Sequence, residues 1–123
     1  MKLSGLEISA ITKLAKAMVL ADGKVEDVEL VVMTHELLRF GVSEKELSAF
    51  LAAGDAMKME QAMGIVASLK KENKKYVSAY LGTIMASDLD INETELALWK
   101  LVSTLCDLPT MNIQEAVSIM AEL

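Results

Sequence analysis

The sequence predicts an all-α fold, a compact seven-helix bundle with a pseudo-two-fold internal repeat. Three observations predict it. Apolar residues recur at i, i+3, i+4 and i+7 along almost the whole chain, which is the spacing of one stripe on a 3.6-residue helix. No segment shows the strict alternation of a strand, and β-branched residues are scattered rather than clustered between turns. An acidic pattern occurs twice, 66 positions apart, as Asp22-Gly-Lys-Val-Glu-Asp-Val-Glu29 and Asp88-Leu-Asp-Ile-Asn-Glu-Thr-Glu95. Each copy follows one helical run and precedes another.

The first helix is expected over about 5–20, with Ile11, Leu14, Ala15 and Met18 on its stripe. The second covers about 26–40, with Val28, Val31, Val32 and His35. Gly41-Val42-Ser43 separates it from the third, about 44–53, which Ser43-x-x-Glu46 opens as a capping box and Gly54-Asp55 ends. The fourth, about 58–71, carries Met59, Ala62, Met63 and Val66. Lys70 to Lys75 reads as a polar joint before the fifth, about 73–87, with Val77, Tyr80, Leu81 and Ile84. The sixth, about 93–106, carries Leu98, Leu101, Val102 and Leu105. It ends at Asp107-Leu108-Pro109-Thr110, because Pro109 cannot continue a helix and restricts Leu108 before it. Asn112-x-x-Glu115 caps the seventh, about 112–122, whose stripe is Ile113, Ala116, Val117 and Met120.

The repeat extends beyond the acids. At the 66-residue offset Leu30 falls on Leu96, Met33 on Trp99 and Val42 on Leu108. Helices one to three therefore match helices five to seven, over about 5–54 and 73–122, with the fourth as a bridge. No flexible linker divides the 123 residues, so a single domain is expected over 1–123.

An apolar fraction of 53% is high, but no uninterrupted apolar run approaches the roughly 20 residues that span a bilayer. No direct membrane insertion is expected. Glu7 and Lys13 interrupt any apolar signal core at the N-terminus. The single cysteine, Cys106, cannot form an internal disulfide, and a cytoplasmic location is the expectation. Residues 1–85 hold 11 Lys/Arg and 11 Asp/Glu, whereas 86–123 hold Lys100 and seven acids. The net charge of −6 thus sits in the last third. That balance argues against nucleic acid and suits cations or basic partners.

Asp22 and Asp88 fall in turns just past a helix, and Glu29 and Glu95 in the first turn of the next helix. Carboxylates on two facing turns can supply hard oxygen ligands, with Ca²⁺ or Mg²⁺ favoured. The second turn is the richer, since Asp88, Asp90 and Asn92 alternate. It is not an EF-hand: Glu93 stands where the sharp-turn Gly belongs, and Trp99 where the bidentate Glu belongs. The competing reading is structural. Asn92 can cap the sixth helix with Glu95 at N3, Glu26 and Glu29 stand in the same register, and acids complement a helix N-terminus.

The two copies, Ala21-Asp-Gly-Lys-Val-Glu-Asp-Val-Glu29 and Ala86-Ser-Asp-Leu-Asp-Ile-Asn-Glu-Thr-Glu95, resemble the repeated signature of the TerB-like family of bacterial tellurite-resistance proteins. The resemblance covers nearly the whole chain. It implies a cytoplasmic seven-helix module with an acidic surface linked to metal binding, a role in tellurite and other stress, and membrane-bound TerC-like partners. It places the family's acids on Asp22, Glu29, Asp88 and Glu95. The second copy departs from the pattern at Leu89, which replaces the turn glycine.

Nothing in the sequence marks an enzyme. No nucleophile lies in a recognisable pattern with a base, and no Gly-rich phosphate loop is present. His35, the single histidine, is expected at the core or its boundary and has no Cys or His at zinc spacing. Cys106 is expected as a buried structural thiol. Met18, Met63 and Met120 fall on core stripes, while Met57 and Met59 are candidates for an adaptable docking groove. Two functions follow. The first is a non-enzymatic module that binds a divalent cation or a protein partner through Asp22, Glu29, Asp88, Glu95 and Asp90. The second is an interaction or homodimerisation module whose acidic turns only cap helices.

Overall fold

Two long helices lie at the centre of the fold, and the rest pack around them. The computed structural model describes residues 2–21, 27–87, 91 and 93–123. Helix α1 spans Gly5–Val19 and α2 Asp27–Leu37, which tightens into a 3₁₀ turn over Leu38–Phe40. A second 3₁₀ turn, Glu44–Glu46, leads into α3, Leu47–Ala56. Then come α4 (Met59–Ala67), α5 (Lys71–Ala86), α6 (Glu93–Leu105) and α7 (Ile113–Ala121). The fold is all-helical, with no strand among the described residues. Among them, too, no helix is long and apolar enough to cross a membrane.

Helices α1 and α5 pack on each other and are buried around most of their circumference. Helix α1 also carries α3 and α4, and α5 packs most extensively on α7. Helices α2 and α6 each lean on both α1 and α5. That exchange is what a pseudo-two-fold repeat produces. Burial follows the same 66-residue offset: Ile11 and Val77, Leu14 and Tyr80, Met18 and Ile84, Met33 and Trp99, and Val42 and Leu108 are all buried pairs.

Helix starts follow their capping chemistry. Ser43 N–H donates to the Glu46 carboxylate at 3.1 Å. Asn112 N–H donates to Glu115 at 3.2 Å, and Glu115 N–H donates back to Asn112 Oδ1 at 2.8 Å. A third box, not anticipated, opens α1: Glu7 N–H donates to Ser4 Oγ at 3.1 Å and Ser4 N–H to Glu7 at 2.8 Å. Each satisfies amide donors that the first helical turn leaves without partners.

Several expectations need correction. On α2 the core face is Glu29, Met33 and Leu37, while Val31 is 63% exposed and Val28 and His35 are also exposed. On α6 the core face is Glu95, Trp99, Val102 and Cys106, and Leu101 and Leu105 are exposed. On α7 Val117 is exposed, and Ala116 and Met120 form the buried edge. Apolar periodicity alone picked the wrong stripe on α2, and on α6 it found Val102 and the half-buried Leu98 but took in the exposed Leu101 and Leu105, because a buried glutamate counts against the true stripe. Gly54-Asp55 does not end α3, which runs to Ala56. A Cβ on Gly54 would lie 3.0 Å from the Ser9 carbonyl oxygen and 3.3 Å from Lys13 N, so the glycine lets α3 approach the α1 backbone. The lysine-rich joint is not a joint either: α5 starts at Lys71 and takes most of it as its first turns.

Candidate functional site

Glu29 and Glu95 are each the third residue of their helix, α2 and α6. Acidic side chains there sit in the positive end of the helix dipole. Both glutamates are buried, 0% and 1% exposed. The capping boxes provide an internal comparison. Glu46 and Glu115 are exposed and Glu7 is half-buried, the usual lie of a carboxylate that only reaches back to an N-cap amide. The Ser43 backbone N–H and hydroxyl hold the Glu46 carboxyl below its ordinary range. Burial thus sets Glu29 and Glu95 apart from the glutamates of the three capping boxes, and a buried acid is a hydrogen-bonded or paired one.

Asp22, Asp88 and Asp90 lie outside the described residues, as do Gly23, Glu26, Leu89 and Asn92. The described structure thus holds Glu29 and Glu95 of the five candidate ligands. Among the described residues no three Asp, Glu, His or Cys side chains gather into a metal-binding group.

The other singled-out residues take structural places. His35 is exposed. Cys106 is buried, its Sγ 3.5 Å from the Met63 carbonyl oxygen, and burial pushes its thiol pKa up against the smaller opposing effect of Lys74. That is an unreactive thiol. Met57 is buried in the core and Met59 half-buried.

A larger concavity, missed in the sequence, lies between α6 and α7. This cleft holds about 1000 Å³ and is floored by Trp99 and Ser78, with Leu96, Leu108, Met111 and Ile113 among its walls. The Trp99 indole N–H reaches the Ser78 carbonyl at 3.2 Å and the Ser78 hydroxyl at 3.3 Å. The break at Pro109 was its one sequence signal: the chain turns there, and α7 returns onto α5 rather than onto α6.

No known family model matches the chain, and no curated protein matches it. Among solved structures, the chain is similar to the crystal structure of a protein of unknown function from Porphyromonas gingivalis W83. The two are 50% identical over 100% of this chain and 99% of that one, with a TM-score of 0.93.

Proposed function

We propose that this chain, which belongs to the same family as the Porphyromonas gingivalis W83 protein, is a non-enzymatic helical module that binds a divalent cation through its two acidic interhelix turns. The observation that carries the reading is the burial of Glu29 and Glu95 at equivalent positions of the two repeats. Buried carboxylates at matching helix starts repeat one acidic position in both halves of the chain, and Asp22, Asp88 and Asp90, five to seven residues before them in sequence, would be further oxygen donors. Ca²⁺ and Mg²⁺ are the ions that such a ligand set favours. The resemblance of the two turns to the TerB-like signature supports the same reading. It extends it to a cytoplasmic role in tellurite or metal stress, alongside a TerC-like membrane protein.

The test is thermal unfolding of chelator-stripped protein against added Ca²⁺, Mg²⁺, Zn²⁺ and Mn²⁺. An ion that binds only the folded state adds about 2.7 kcal/mol of stability at a hundredfold excess over its Kd. A saturable rise with one ion, abolished by Asp22→Asn with Asp88→Asn, is the expected result. No shift with any of the four ions would reduce the turns to helix caps.

A second reading, docking of a protein partner or a second copy of the chain, draws on the exposed apolar side chains Leu101 and Leu105 of α6. It predicts a self-association or capture that chelators leave unchanged and that Leu101→Asp weakens.

A further inference from the structure

The cleft between α6 and α7 is independent of the acidic turns and has its own chemistry. Its volume of about 1000 Å³ is at the upper end for a small-molecule site, and apolar walls with a few polar groups are the usual makeup of one. Part of its polar lining is committed elsewhere. Ser78 and the Trp99 N–H satisfy each other, Asn112 caps α7, and the Thr104 hydroxyl donates to the Lys100 carbonyl at 2.9 Å.

Two charged side chains line the cleft, Lys100 and Asp107. Asp107 pairs with Lys74 at 3.4 Å. Lys100 is exposed and makes no ion pair with any described residue. It is also the single basic residue of positions 86–123, against seven acids. The cleft therefore presents apolar walls, one positive charge at Lys100 without an ion pair among the described residues, and the exposed Asp107 carboxylate, which is turned to Lys74.

We infer that this cleft binds a small amphiphile with an apolar body and a single carboxylate head, of the medium-chain fatty-acid type, with Lys100 as the partner of the head group. A carboxylate fits better than a phosphate. Lys100 is a lone point charge, whereas a phosphate is usually held by several converging donors.

The chain has one tryptophan, and it forms the floor of the cleft, so its emission reports occupancy. Decanoate, kept below its micellar concentration, is titrated into the full chain and followed by Trp99 emission and by calorimetry. Decanol serves as the uncharged control. Saturable binding of decanoate seen by both methods, with decanol weaker by about tenfold, is the expected result. Lys100→Gln should weaken decanoate by a similar factor and leave decanol unchanged, and Lys100→Glu should weaken it further. Lys100 is a surface residue, so both variants are expected to fold, and their melting curves verify this. The inference is overturned if neither method detects binding, if decanol equals decanoate, or if the Lys100 variants bind decanoate like the parent. Calorimetric binding without a change in Trp99 emission would place the ligand elsewhere and overturn it equally. None of these outcomes depends on a cation, so failure here is distinguishable from failure of the metal reading.

Discussion

Gly41 and Asp107, 66 residues apart, carry the left-handed backbone conformations of the described residues, with φ of 90° and 54°. Each ends the second helix of its repeat. Gly41 N–H returns to the Leu38 carbonyl at 3.0 Å. Asp107 N–H returns to the Thr104 carbonyl at 3.4 Å, and Leu108 N–H to the Ser103 carbonyl at 2.8 Å. The second set is the bond pattern of a Schellman cap. The residues that follow, Val42 and Leu108, are both buried. The repeat thus includes the chain reversal that aims α3 and α7 back at the core, and one copy makes it with glycine and the other with aspartate.

That difference has a measurable consequence. A Cβ at Gly41 would meet nothing within 4 Å, so Gly41→Ala tests backbone conformation alone. It should cost about 1 kcal/mol, read as a lower urea midpoint at unchanged m-value. Asp107→Asn keeps tolerance of the left-handed region and removes only the charge facing Lys74. Because Asp107 is 90% exposed, its loss should cost about 1 kcal/mol or less. A larger loss at Asp107→Asn than at Gly41→Ala would show that the Lys74 pair, not the turn, dominates there.

Gly82 and Gly64 should respond in opposite directions to the same substitution. A Cβ on Gly82 would sit 2.7 Å from Trp99 Cζ2 and 2.8 Å from Ala116 Cβ, where α6 and α7 both close on α5. Gly82→Ala should therefore destabilise by about 1–3 kcal/mol through overpacking. Gly64 is an exposed position inside α4 with nothing within 4 Å of such a Cβ. Gly64→Ala should stabilise by about 0.4–1 kcal/mol. Equal effects at both sites would contradict the packing described at Gly82.

Tyr80 links the central helix to α2: its hydroxyl donates to the Met33 carbonyl at 2.7 Å, and its ring meets Phe40 edge-on at 5.3 Å. Tyr80→Phe leaves the Met33 carbonyl without this donor in the interior and should cost about 1–3 kcal/mol. Burial pushes the Tyr80 phenol well above its ordinary 10.0, and the Glu36 charge adds to the effect. The native state therefore holds this proton more tightly than the unfolded chain does. The stabilisation is complete below about pH 10 and is lost as pH rises from there toward the raised native value. Denaturation between about pH 9 and 11 should show a steeper loss for the parent than for Tyr80→Phe. Parallel curves would place the phenol in water.

Glu29→Gln and Glu95→Gln should have similar effects, since the two positions share burial and helix register. On the cation reading, each should leave the helical circular dichroism intact and remove most of the ion-dependent rise in melting temperature. If one variant loses the response and the other keeps it whole, the site belongs to a single turn.

The candidate site was only partly legible in the sequence. The spacing of Glu29 and Glu95 was visible as a repeat, and so was their place in the first turn of a helix. Their burial was not. A stripe search rewards valines and penalises a carboxylate, so it turned α2 toward Val28 and Val31, which face outward. The cleft floored by Trp99 was equally hidden, because it depends on where α7 lies after Pro109, and no local signal states that.

By itself the sequence determined the helical class, the seven helices, the chain breaks at Gly41 and Asp107–Pro109, and the doubling at 66 residues. These follow from local physics: 3.6-residue periodicity, capping side chains and the missing amide of proline. Only the tertiary structure decided which face of α2 and α6 turns inward, that Gly54 lies within a helix at a close crossing, and where the cleft opens. Those outcomes depend on several helices competing for the surfaces of α1 and α5. Burial is shared out by that packing, and no single segment's pattern specifies it.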